Sequence, residues 1–176
     1  MQSFIKETGI IAPLDRANVD TDQIIPKQFL KSIKRTGFEE GLFFDWSRHP
    51  DGSPNADFEL NQPQFAGAKF LVAGNNFGCG SSREHAVWAI AQAGYCAVIA
   101  PWKDDTNGRV PGFADIFKNN CSKNGVLTIE LSEEQVNEIF GAIAANEGVQ
   151  ATIDLESQLL TLHSPDARSY SFDVNS

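Results

Sequence analysis

The sequence predicts a single α/β domain, and three observations predict it. The apolar run Phe70-Leu71-Val72-Ala73-Gly74 reads as a buried strand, Ala86 to Ala93 carries apolar residues at helical spacing, and Cys96 to Ala100 is a second buried run. That is a strand–helix–strand unit, the building block of a parallel sheet. Ser132 to Ala145 is an amphipathic helix, and the short alternating segments after it read as closing strands.

The elements follow in order. Gly9 to Leu14 is an apolar strand, and Asp15 to Asp22 a polar turn region in which Asp20 and Asp22 serve as turn and cap residues. Lys31 to Gly37 is basic and without a clear period, so it is read as an exposed loop. Pro50 to Pro63, rich in Pro, Asn, Asp and Gly, is a surface connection. In the helix at 132–145, Val136, Ile139, Phe140 and Ile143 share one face, and Ser132 with Gln135 forms a capping box. Thr152 to Leu155, Leu159 to Leu162 and Tyr170 to Val174 are the closing strands.

A chain of 176 residues with 41% hydrophobic content is long enough for one substantial core. The formal net charge is −9 and there is no basic block, which argues against a nucleic-acid partner. No apolar run reaches membrane-spanning length and the amino terminus lacks a signal-peptide pattern, so a cytoplasmic location is expected. Cys79, Cys96 and Cys121 are odd in number and widely spaced, without a C-x-x-C pair, and His49, His85 and His163 do not complement them. Neither a disulfide framework nor a zinc site is expected, and no metal is assigned to this chain.

The chemistry-bearing segment is Gly78-Cys79-Gly80-Ser81-Ser82-Arg83-Glu84-His85, at the strand-to-helix turn. The first N–H groups of a helix have no internal partners and lie at the positive end of its dipole, which favours an anion there. Arg83 adds a planar fork suited to a carboxylate. A structural alternative competes with this: Ser81-x-x-Glu84 is also a capping-box pattern, with Gly94 ending the helix. An acidic chain that binds an acidic ligand must concentrate cations locally, and Arg83 with the cluster Lys31, Lys34 and Arg35 supplies them.

Asn76 to His85, NFGCGSSREH, resembles the signature of the small subunit of 3-isopropylmalate dehydratase, a relative of the aconitase swivelling domain. The resemblance extends in family order through Asp20-Thr21-Asp22-Gln23-Ile24-Ile25-Pro26, Leu42 to Trp46, Phe113-Ala114-Asp115-Ile116-Phe117 and Asn119 to Gly125. It implies a three-layer swivelling β/β/α architecture. It also implies a hydro-lyase of leucine biosynthesis that interconverts 2- and 3-isopropylmalate and is active only with a separate large subunit carrying a [4Fe–4S] cluster. By the same resemblance Ser81 is the catalytic base, acting as an alkoxide, while Ser82, Arg83 and Arg35 bind the small dicarboxylate substrate. Cys79 is read as a small packing residue, and His85 as structural.

Alternatives are a homoaconitase-like or methyl-substituted malate dehydratase small subunit, set apart by the loop from Leu30 to Gly37, and a non-catalytic anion-binding module. Two departures from the family pattern stand out. Val87 replaces the usual proline, and Trp102 to Gly112, WKDDTNGRVPG, reads as an inserted turn-rich loop beside the active edge, expected to be surface decoration.

Overall fold

The computed structural model describes residues 5–31, 36–81 and 83–173. The strands are β1 (Lys6–Leu14), β2 (Phe70–Ala73), β3 (Ala97–Asp105), β4 (Gly108–Val110), β5 (Leu127–Ser132), β6 (Gln150–Asp154), β7 (Leu159–Leu162) and β8 (Ser169–Ser171). The helices are α1 (Thr21–Ile24), α2 (Phe44–Ser47), α3 (Glu84–Gln92), α4 (Asp115–Lys123) and α5 (Glu133–Ala145), with short 3₁₀ turns between α1 and β2.

β1 is the hinge of the architecture. Its first half, Lys6 to Ile10, pairs antiparallel with β6, and its second half, Ile11 to Leu14, pairs parallel with β2. One long strand thereby joins a parallel layer of β1, β2, β3 and β5 to an antiparallel layer of β1, β6, β7 and β8. Period-two alternation fills both faces of the parallel layer. Phe70, Val72, Ala97 and Ile99 point into a core shared with Val136, Ile139 and Ile143 of α5 and with the antiparallel strands. Leu71, Ala73, Val98 and Ala100 point the other way, under α3 and α4. The three layers match the swivelling β/β/α expectation.

The strands and helices expected at 9–14, 70–74, 86–93, 96–100 and 132–145 are present. So is the capping box of α5, in which Ser132 Oγ accepts from Gln135 N at 3.2 Å. α4 and β5 are additional elements. The loop expected over Lys31 to Gly37 falls largely outside the described residues, and Val174 does so at the chain's end.

One alternative is excluded and one expectation needs correction. Ser81 and Glu84 form no capping box: α3 begins at Glu84, Arg83 occupies the cap with no side-chain cap bond, and the Glu84 carboxylate instead accepts from Asn124 Nδ2 at 2.9 Å. Asn124 closes α4 and its Oδ1 also accepts from Trp88 Nε1, so one asparagine ties α4 to α3 and takes Glu84 out of reach of its own cap. Trp102 to Gly112 is likewise no loose loop. β3 continues to Asp105 and β4 returns antiparallel, in the register Lys103↔Val110 and Asp105↔Gly108. Asp105 Oδ1 accepts from Asn107 N, Thr106 and Asn107 make the turn, and Gly108, with φ +115°, opens the returning strand of the hairpin.

Candidate active site

The carboxyl ends of β2 and β3 place the site. After β2 the chain runs through Asn75 to Ser81 to reach α3, and it is held at several points. Gly78 N donates to Val19 O at 2.8 Å, Phe77 N to Gly112 O at 2.8 Å, and Thr21 N to Cys79 O at 2.9 Å. The Thr21 hydroxyl, on a residue 2% exposed, donates to the carbonyl oxygen of Ser81 at 2.7 Å. A glycine is required at 78, where φ is +83° and an added Cβ would lie 2.2 Å from the Phe117 ring. Gly80, with φ +90°, turns the chain tightly past Asp20.

These restraints present Ser81 at the wall of a cleft of about 300 Å³. Thr21, Gly78, Gly80 and Arg83 line one side, and the opening turn of α4, with Ala114, Asp115 and Ile116, lines the other. Neither α3 nor α4 carries a side-chain cap bond, so two helix N-termini meet at this cleft. Their N-terminal dipoles make it a favourable place for negative charge. Ser81 itself is exposed.

Arg83 lies at the cleft wall with its Nη1 bound to Asp22 Oδ1. Asp20, in turn, caps α1: its Oδ1 accepts from Gln23 N at 2.8 Å, while Gln23 Oε1 accepts from Asp20 N at 3.0 Å. The expected cap role holds for Asp20, whereas Asp22 is the partner of Arg83. Sequence reasoning missed that pairing and the contribution of α4. The signals were the Asp20-Thr21-Asp22-Gln23 and Phe113 to Phe117 blocks, which lie far from the signature in sequence and touch it in space.

Of the expected site residues, Ser81 and Arg83 line one cleft, while Ser82 and Arg35 lie outside the described residues. His85 is engaged by aromatic rings, 4.7 Å from Trp88 and 5.3 Å from Phe38 between centroids, in keeping with a structural role. Burial, helped by the Asp20 carboxylate, raises the Cys79 thiol above its ordinary pKa, so it is no ready nucleophile. Burial also pushes Cys96 up to about 11 and raises Cys121 further. Among the described residues no group of three or more His, Cys, Asp or Glu is placed to hold a metal ion, and the residues present do not fit an iron–sulfur cluster.

The aconitase C-terminal domain family matches residues 1–134. A 3-isopropylmalate dehydratase small subunit from Desulforapulum autotrophicum is 56% identical over 174 residues, covering 99% of this chain and 81% of that protein. One from Neisseria meningitidis serogroup C is 52% identical over 183 residues, covering 99% and 80%. The crystal structure of 3-isopropylmalate dehydratase from Methanocaldococcus jannaschii superposes with a TM-score of 0.65 at 25% identity, covering 96% of this chain and 82% of that one. With an aconitase C-terminal domain over residues 1–134 and more than half the residues shared with a small subunit over nearly the whole chain, the chain belongs to the 3-isopropylmalate dehydratase small-subunit family.

Proposed function

We infer that this chain is the small subunit of a hydro-lyase that interconverts 2-isopropylmalate and 3-isopropylmalate by removing water and adding it back, a step of leucine biosynthesis. The observation that carries the reading is the exposed Ser81 beside Arg83 in a cleft at two helix N-termini, in a chain 56% identical to a protein of that name.

Dehydrating a hydroxy-dicarboxylate requires a base for a weakly acidic C–H proton, a group to take the hydroxyl, and stabilisation of the negative charge that builds on the neighbouring carboxylate. Ser81 is the proposed base. Its hydroxyl is too weak an acid to ionise in water at neutral pH, so the anion depends on the Arg83 cation and the positive helix ends around it. The alkoxide removes the proton from carbon, holds it as a hydroxyl, and returns it when water adds in the reverse sense. Arg83, with Ser82 and Arg35, holds the substrate carboxylates, and a bidentate fork also fixes the orientation of the carbon that reacts.

The described cysteines here form no ligand set, so a [4Fe–4S] cluster would be held by the large subunit, where it would supply the Lewis acid for the hydroxyl. The proposed working unit is a cytoplasmic complex of the two subunits. The test is reconstitution. Mixed with a cluster-bearing large subunit, this chain should convert 2-isopropylmalate through an unsaturated acid visible by ultraviolet absorbance, and neither subunit should do so alone. Turnover of homocitrate-like or methyl-substituted malates in place of isopropylmalate would favour the alternative substrates.

A further inference from the structure

The hairpin formed by the end of β3 and β4 stands out from the rest of the molecule. Among the described residues β4 pairs with β3 alone, and residues 104–109 are all exposed. A free two-stranded ribbon is marginal in water, yet this one is built to hold its shape. At its root the Asn75 side chain, 6% exposed, donates to Pro101 O at 2.8 Å and Pro111 O at 2.9 Å, locking the two strands together. Along its length Arg109 lies over the Trp102 ring at 3.7 Å. From Gly112 the chain is stitched into the signature segment, since Phe77 N donates to Gly112 O and Ala114 N donates to Phe77 O.

The arm therefore leads into the mouth of the Ser81 cleft. Three residues past Phe113, the opening turn of α4 places Ile116 at that mouth with 55% of its surface exposed. Ile116 and Ile5 are the exposed large hydrophobic residues among those described, and Ile116 sits at the active edge. An alkoxide at Ser81 needs its cleft enclosed, because bulk water would quench it. A surface with a rigid unpartnered arm, an exposed isoleucine and a catalytic hydroxyl open to solvent is incomplete by itself.

We propose that the Trp102–Gly112 arm and Ile116 together form the docking surface for the large subunit, with the arm as the handle and Ile116 as the apolar anchor at the rim. The inference rests on the two-subunit reading above and replaces the expectation that this segment is decoration. The occupant is the large subunit because the relatives are named as small subunits of a dehydratase, and the arm is continuous with the cleft that subunit must cover.

Two variants test it: an arm shortened to a tight turn between Trp102 and Pro111, and Ile116→Glu at a solvent-exposed position where folding is not at risk. Binding of each to the intact large subunit is measured by titration calorimetry, alongside the large-subunit concentration that gives half-maximal turnover. Both variants should bind at least about tenfold more weakly. The shortened-arm complex should recover wild-type kcat once the large subunit is saturating. Unchanged affinity in Ile116→Glu and in the shortened arm would overturn the proposal. So would a fall in kcat at unchanged affinity, which would assign the arm to the reaction, or loss only of self-association, which would assign it to a second copy of this chain. If the shortened arm fails to fold, Ile116→Glu decides alone. Failure of the wild-type chain to bind or activate any large subunit would instead defeat the functional reading beneath.

Discussion

The Arg83 guanidinium is bound to the Asp22 carboxylate, which joins the first turn of α1 to the cap of α3 across the mouth of the cleft. The arginine side chain is only 13% exposed and the aspartate 54%. The ion pair thus holds the guanidinium in position at the wall of the cleft. Asp22→Asn should leave the fold intact, since the residue is exposed and Asp20 is the one that caps α1. It should raise KM by roughly tenfold, with a smaller effect on kcat, because the fork loses its aim. Steady-state kinetics of the reconstituted complex, checked against thermal melting, will show the split.

The glycine spacing of the signature makes a graded prediction. At Gly78 a methyl group would meet the Phe117 ring 2.2 Å away, whereas at Gly80 the nearest atom is the Asp20 Cβ at 3.2 Å. Gly78→Ala should cost about 3 kcal/mol or more through overpacking and left-handed strain, and Gly80→Ala about 1–2 kcal/mol. Urea melts of the two variants, ranked against the parent, measure the difference.

Asn75 is the structural counterpart of that loop. Its buried amide serves the carbonyls of Pro101 and Pro111, so Asn75→Ala leaves carbonyl groups at the root of the arm without their donor. A loss of about 1–3 kcal/mol is expected, with faster amide exchange in β4 than in β5.

Much of the fold was legible because it is written locally. The run Phe70 to Ala73 buries both faces of a central strand, and Ser132 with Gln135 announces α5 by its capping box. At the start of α3 the pattern Ser81-x-x-Glu84 left a capping box open as an alternative, which local sequence could not exclude because Asn124, forty residues on, claims the glutamate. The hairpin carried its own signal in Asn107-Gly108, but charged residues around the pair disguised the strands. At the candidate site, Ser81 and Arg83, which line the cleft, both stand within the signature itself. Asp22, Thr21 and the opening of α4 lie outside it, and their proximity is a product of parallel strand pairing and has no local trace.

Burial of Cys96 raises its thiol from 9.0 to about 11, and burial raises the Tyr95 hydroxyl from 10.0 to about 12. A folded pKa above the unfolded one means stability that is full below the unfolded value and is lost as pH climbs through the folded value. The urea midpoint should therefore hold steady up to about pH 9 and fall between about pH 9 and pH 12. Cys96→Ala should flatten the lower part of that decline.

In the proposed reaction Ser81 supplies the base and the large subunit completes the site. Ser81 is exposed and caps no helix, so Ser81→Ala should melt with the parent and bind the large subunit normally. The decisive measurement is kcat for 2-isopropylmalate with the large subunit saturating. In Ser81→Ala it should fall by about 10²-fold or more, with binding of substrate largely retained. Near-normal kcat in that variant would contradict Ser81 as the base.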